Sequence, residues 1–146
     1  LNDWFDLDYA VTYFYNVFGG REIRTGKYAT LIGIFTEHAA NGKPLPVVMP
    51  GNQRRNFTHV DDIISGLIKV GEKGKGDDFG IGNENSFSIM EVAKMFECEI
   101  QELPPRRGNR QKSEIDTSKI RALGWSCSVQ LEDYVEELRS SNWKIK

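Results

Sequence analysis

Residues 7–18 read Leu7-Asp8-Tyr9-Ala10-Val11-Thr12-Tyr13-Phe14-Tyr15-Asn16-Val17-Phe18, and this stretch decides the fold. Large or β-branched side chains fill both alternating faces rather than one, which is the pattern of a strand buried on both sides. Such strands belong to parallel sheets covered by helices on each face, and they need strand neighbours along both edges. The stretch therefore implies an α/β fold, and the rest of the chain offers too few strands to complete the sheet. Leu1, not Met, stands first, which points to a longer parent.

Outward from this strand, Gly19-Gly20 opens a basic loop, and Ala29 to Asn41 carries Leu31, Ile32, Phe35 and Ala39 at helical spacing, stopped by Gly42 and Pro44. Leu45 to Met49 predicts a short strand, Pro50-Gly51-Asn52 a turn, and Asn56 to Val60 a second strand. Asp61 and Asp62 precede Ile63, Ile64, Leu67, Ile68 and Val70, a helix with acids at its positive end, Asp61 its cap and Gly71 its stop. Residues 71–78 predict a flexible connection. Its glycines make no nucleotide fingerprint, because Phe79 fills the last slot and no strand precedes them. Phe79 to Ile81 and Glu99 to Leu103 predict brief strands. Ser88-Ile89-Met90-Glu91 has the form of a capping box ahead of a helix through Phe96. Asp116 and Ser128 are suited to cap two last helices, bearing Ile120 and Leu123, and Leu131, Tyr134, Val135 and Leu138.

The 146 residues, 39% apolar and 27% charged, suffice for one globular core without disulfide or metal staples. Nineteen Lys and Arg against twenty-one Asp and Glu leave a net charge of −2, with no global field to draw the chain to nucleic acid or an anionic membrane. No apolar run approaches the roughly 20 residues of a membrane span. Two dispersed cysteines, Cys98 and Cys127, read as reduced thiols of a soluble, cytoplasmic protein. With His38 and His59 they show no metal-ligand spacing, and no pair of acids stands out for acid–base work, so neither a metal site nor a catalytic residue is assigned.

What remains is a set of anion-ready positions: Asn16 past a strand end, Arg54-Arg55 at the start of a short strand, and the proline-led loop Pro104-Pro105-Arg106-Arg107-Gly108-Asn109-Arg110-Gln111-Lys112. Ligands of open α/β sheets gather at the carboxyl ends of strands, and arginine forks from separate loops can clamp a diphosphate. For His59 a hydrogen-bonded structural role is expected, and for Phe57 and Val60 a place in the core.

These motifs are similar to those of a known family. Tyr13-Phe14-Tyr15-Asn16-Val17-Phe18-Gly19 resembles the R-Y-F-N-V-Y-G stretch of the extended short-chain dehydrogenase/reductases that act on nucleotide sugars, of which UDP-glucose 4-epimerase is the type. Gly51-Asn52-Gln53-Arg54-Arg55-Asn56-Phe57-Thr58-His59-Val60-Asp61-Asp62 resembles that family's G-x-Q-x-R-D-F-[TI]-[YH]-V-D-D. Phe79-Gly80-Ile81-Gly82-Asn83, Pro105-Arg106-Arg107-Gly108-Asn109, Asp116-Thr117-Ser118-Lys119 and Leu123-Gly124-Trp125 follow in family order. Tyr13, Gly20, Asn56 and Asn109 stand where the family has Arg, Pro, Asp and an acid.

The resemblance implies the carboxyl-terminal, substrate-binding part of an extended Rossmann-type enzyme: the last sheet strand in residues 1–20 and a small mixed α/β subdomain in residues 21–146. It implies an isomerase parent, an NAD-dependent nucleotide-sugar 4-epimerase acting by transient oxidation at sugar C4, with a dehydratase, decarboxylase or reductase of the same family, or a noncatalytic binding fragment, as alternatives. It also implies a nucleotide-sugar ligand, most naturally a UDP-sugar, a homodimeric parent, and an amino-terminal Rossmann half as partner. Asn16 would meet the sugar or diphosphate, Arg55 the diphosphate, Arg106 the diphosphate or ribose, Asn109 the ribose, Val48 the base, and the backbone of Ala29, Thr30 and Leu31 the nucleotide. No tyrosine here has a lysine four positions on and no glycine fingerprint follows a strand, so this chain alone is expected to bind no NAD and to be inactive.

Overall fold

The computed structural model describes residues 2–105 and 115–144. After a four-residue helix, α1 (Asn2–Phe5), the deciding stretch forms two strands rather than one, β1 (Ala10–Tyr13) and β2 (Val17–Phe18). The break lies at Asn16, whose φ of 49° is left-handed, a conformation Asn tolerates better than most side chains. Residues 13–15 are not buried on both sides as expected: Tyr13, Phe14 and Tyr15 are 40%, 42% and 44% exposed, because the described residues cover only one side of them.

The expected lack of strand neighbours is corrected on one edge. β1 pairs in parallel with β6 (Gly76–Gly80), Thr12 opposite Phe79 and Tyr13 opposite Gly80. Residues 71–78 are thus only in part a connection. The helix before them, α3 (Val60–Lys73), runs past Gly71, and β6 takes up from Gly76. The predicted strand over 56–60 splits into β4 (Arg54–Asn56) and β5 (Thr58–His59), β5 pairing in parallel with β2 and β4 antiparallel with β7 (Ser86–Ser88). β3 (Leu45–Val48) runs parallel to β8 (Ile100–Leu103), with Val48 opposite Leu103.

Helix α2 (Leu31–Ala40) begins where the spacing places it, with Thr30 as N-cap. The capping box before α4 (Ile89–Met95) forms in full: Ser88 Oγ accepts from Glu91 N at 3.1 Å and Ser88 N donates to Glu91 Oε2 at 2.6 Å. Three other caps differ from expectation, the first at the short helix bearing Ile120, which has Thr117 at its N-cap rather than Asp116, although Asp116 Oδ1 accepts the Ser118 N–H at 2.8 Å. His59 Nδ1, not Asp61, caps α3 by accepting the Asp61 N–H at 3.3 Å, which also gives His59 the structural role expected of it. The last helix, α6 (Leu131–Ser140), has Gln130 at its N-cap rather than Ser128. Ser128 is held elsewhere: its N–H and hydroxyl bond Asp62 Oδ1 at 3.0 and 2.6 Å, while Val129 N bonds Asp62 Oδ2 at 3.1 Å.

Two apolar clusters result. The larger one sits under α2, α4 and α6 around Ile32, Phe35, Leu45, Phe57, Phe96 and Val135, with the Phe35 and Phe96 rings edge to face at 5.6 Å. The smaller joins Ile63, Val70 and Phe79 to Ile81, Trp125 and Ile120, the last on α5 (Ser118–Ala122). A Cβ on Gly66 would meet Ile81 Cγ2 at 2.7 Å, so α3 approaches this cluster as closely as only glycine permits. The outer side of α3 is bare, with Ile64, Leu67 and Ile68 exposed, and beside it an open groove of about 480 Å³ runs along Tyr9, Ala10, Thr12, Leu67 and Val70. Among the described residues, no helix is long and apolar enough to cross a membrane.

Candidate functional site

The left-handed turn at Asn16 aims its side chain at the strand that carries the paired arginines. Asn16 Nδ2 donates to Asn56 O at 3.0 Å, and Thr58 N returns a 3.4 Å bond to Asn16 O, so the entry to β2 is stitched to the end of β4 and the start of β5. Asn56 extends the stitching. Its amide donates to the carbonyls of Asn83 and Glu84 at 2.9 and 3.1 Å, which an aspartate, having only acceptors when ionised, could not do. The departure from the family's Asp at this position thus has a structural reason.

Alternation along β4 separates the two arginines. Arg54 is committed within the fold: Nε bonds Ser86 Oγ at 3.0 Å, Nη1 bonds Glu91 Oε2 at 3.0 Å, and Nη2 bonds Ser86 O. The Glu91 carboxyl is held below its ordinary range by the Ser88 N–H and hydroxyl, with Arg54 adding to the effect. Arg55 points to the other side of the strand, half-buried, with Nη1 on Arg54 O at 2.8 Å. Of the pair, Arg54 is tied to Ser86 and Glu91, and Arg55 directly precedes Asn56, whose carbonyl Asn16 bonds.

Ala29, Thr30 and Leu31 form the entry to α2. Ala29 N bonds Gly26 O at 3.2 Å and Thr30 N bonds Ile23 O at 3.0 Å, while Thr30 Oγ1 accepts from Gly33 N at 3.0 Å and donates to Glu22 Oε2 at 2.6 Å. The first N–H groups of a helix lack partners within it and carry its positive end, a setting that favours phosphate. Val48 closes β3, half-buried, opposite Leu103, from which the chain leads to Pro104 and Pro105. Arg106 and Asn109 lie outside the described residues. The structure therefore ties Asn16 to Asn56, the residue after Arg55, while the Thr30 turn and Val48 are placed by separate elements.

Two side chains to which the sequence assigns no binding role stand close to this region. Tyr134 packs its ring 5.1 Å from that of Phe18 and 5.6 Å from His59, and burial, with the Glu22 charge next, pushes its hydroxyl up to about 12. Burial likewise raises the Glu22 carboxyl above its ordinary range. The cysteines offer no nucleophile: burial, followed by the Asp62 charge, pushes Cys127 up to about 12, and burial raises Cys98. Among the described residues, no group of three or more His, Cys, Asp or Glu is placed to hold a metal.

A family model described as the NAD dependent epimerase/dehydratase family matches residues 1–82. The chain is 32% identical over 139 residues to the low-salt glycan biosynthesis protein Agl12 of Haloferax volcanii, covering 90% of this chain and 44% of that one. It is 28% identical to UDP-glucuronic acid decarboxylase 3 of Arabidopsis thaliana, covering 87% of this chain and 39% of that one. Among solved structures, the UDP-glucose 4-epimerase of Thermotoga maritima with UDP-glucose superposes with a TM-score of 0.86 at 29% identity, over 96% of this chain and 48% of that one. The chain thus spans about half the length, or less, of the proteins it matches. The parallel pairing of β1 with β6 across α3, the motif order of residues 13–62 and a match over more than half its length show that this chain belongs to the NAD dependent epimerase/dehydratase family.

Proposed function

We propose that this chain is the nucleotide-sugar-binding portion of an NAD-dependent nucleotide-sugar 4-epimerase similar to UDP-glucose 4-epimerase. The observation that carries the proposal is the junction in which the Asn16 amide is pinned to the Asn56 carbonyl beside Arg55. It fixes the backbone where β1 gives way to β2 and leaves the Asn16 carboxamide oxygen there, with Arg55 one residue before the Asn56 to which Asn16 is pinned. A diphosphate seated there gains charge-assisted bonds from Arg55, and the entry to α2 at Ala29–Leu31 adds the partial positive charge of a helix start. Val48 offers an apolar surface for the base, and Arg106 and Asn109 complete the set toward the ribose. The Thermotoga relative, which carries UDP-glucose, supports this ligand class.

The residues present do not fit NAD, since the chain has neither a glycine fingerprint after a strand nor a Tyr-x-x-x-Lys pair. Its residues bind and orient, and redox chemistry belongs to an amino-terminal Rossmann half. That half would occupy the free edge of β1 and the bare side of α3, the division falling near residue 20, and the parent would be a homodimer.

Arg55→Ala in the full-length protein should weaken UDP-glucose binding by about 2 kcal/mol, roughly thirtyfold, in calorimetry. Unchanged affinity would remove Arg55 from the site. The Arabidopsis relative favours a second reading, a decarboxylase on the same scaffold. Products followed by NMR separate the two: epimerised UDP-glucose in the first case, and release of carbon dioxide from UDP-glucuronic acid in the second.

A further inference from the structure

The entry to α2 is held by a side chain that the binding scheme above does not use. Glu22 Oε2 takes the Thr30 hydroxyl at 2.6 Å, and Thr30 Oγ1 takes the Gly33 N–H at 3.0 Å. A hydroxyl that donates to a carboxyl becomes a stronger acceptor, so two bonds in series fix the rotamer of the N-cap. The backbone leaves no slack around them. A Cβ on Gly33 would lie 2.5 Å from Ile23 O and 2.8 Å from Thr30 Oγ1. The other carboxyl oxygen, Glu22 Oε1, is buried with no hydrogen-bond partner among the described residues, and so is the Tyr134 hydroxyl.

We propose that Glu22 is a positioning residue for nucleotide-sugar binding, setting through Thr30 the direction in which the first N–H groups of α2 meet the diphosphate. The proposal rests on the reading that residues 29–31 face the nucleotide. A diphosphate at that helix start brings negative charge toward Glu22 and favours its protonated form, which still accepts from Thr30 through its carbonyl oxygen. Burial already raises this carboxyl, ahead of the opposing pulls of Thr30 and Arg24. The groups that face it are Arg24 on its own loop, Thr30 on α2 and Tyr134 on α6, with Glu137 one turn further along α6 and His59 beside the Tyr134 ring. Binding therefore takes up a proton, and affinity rises as pH falls.

The test is calorimetry of the full-length protein with UDP-glucose, whose diphosphate diester does not itself titrate, between about pH 5.5 and 8, together with amide exchange at Gly33 in the free protein. Glu22→Ala should weaken binding about tenfold or more and speed Gly33 exchange by a similar factor. Glu22→Gln keeps the acceptor and should restore both at high pH, while abolishing the gain in affinity on acidification that the wild type shows. Should Glu22→Ala fail to fold, Thr30→Val serves the same comparison. Unchanged exchange and affinity in Glu22→Ala, or wild-type pH dependence in Glu22→Gln, overturns the proposal. A wild type that binds no UDP-glucose at any pH overturns the nucleotide-sugar reading instead, and Gly33 exchange then decides by itself whether Glu22 holds the turn.

Discussion

The core beneath α2 and the outer side of α3 are built from the same kinds of residue and end in opposite states. Ile32, Phe35 and Val135 are 1% exposed or less, whereas Ile64, Leu67 and Ile68 are 48%, 39% and 56% exposed. Hydropathy does not separate them; layering does. A helix stripe or a sheet face is stable only when a second layer covers it. α2, α4 and α6 supply that layer for the first region, within this chain. The β1–β6 pair has α3 on one side, while Tyr13, Phe14 and Tyr15 and the far side of α3 meet solvent. Each of these bare apolar surfaces is one that a further layer, such as the proposed amino-terminal half, would cover.

The contrast is broken or sharpened by substituting like for like. Phe35→Ala empties the centre of the closed core and should cost about 3 to 5 kcal/mol in chemical denaturation. A loss below about 1 kcal/mol would mean that this core is as open as the other face. Asp62→Ala should follow at about 3 kcal/mol, because it strips the acceptor from Ser128 and Val129 and leaves their N–H groups unpaired at the seam between α3 and the carboxyl-terminal segment. Asp62→Asn, which keeps one acceptor oxygen, should recover part of that. The smallest effect is expected on the bare side. Ile68→Lys should shift stability of this chain by no more than about 0.5 kcal/mol, yet weaken its association with the proposed amino-terminal half, produced separately, in a pull-down or by calorimetry. A large loss of stability in Ile68→Lys would show that the face is covered from within.

What the sequence reveals about this fold divides by the range of the contacts. The capping box at Ser88 and Glu91 spans three residues, so its chemistry is legible in four letters, and the helical spacing of Leu31 to Ala39 places α2 to within two residues. That Arg54 is tied into the fold is not legible, because it depends on Ser86 and Glu91, more than thirty residues on. Asn56 meets carbonyls at positions 83 and 84, which no local pattern announces. Residues 7–18 mislead for another reason. Their side chains are those of a strand buried on both sides, but burial needs a covering layer, and among the described residues one side lacks it. The order of motifs in residues 13–62 carries the family, while the neighbourhood of Glu22 and Tyr134 arises only when the entry to α2 and helix α6 are brought together.

Asp62 also sets the order of events during synthesis. Ser128 lies 66 residues after it, so at roughly 5 to 20 residues per second a growing chain makes Asp62 about 3 to 13 s before the donors for this carboxylate exist. Throughout that interval Asp62 must remain hydrated, and α3 cannot seat Trp125, whose indole donates to Asp62 O and Ser65 Oγ at 3.0 Å each. The closed state of the smaller cluster is therefore a late event, made when the last quarter of the chain folds back onto the first turn of α3. A ribosome stalled before residue 128 would present that turn to proteases, and release would remove it from their reach.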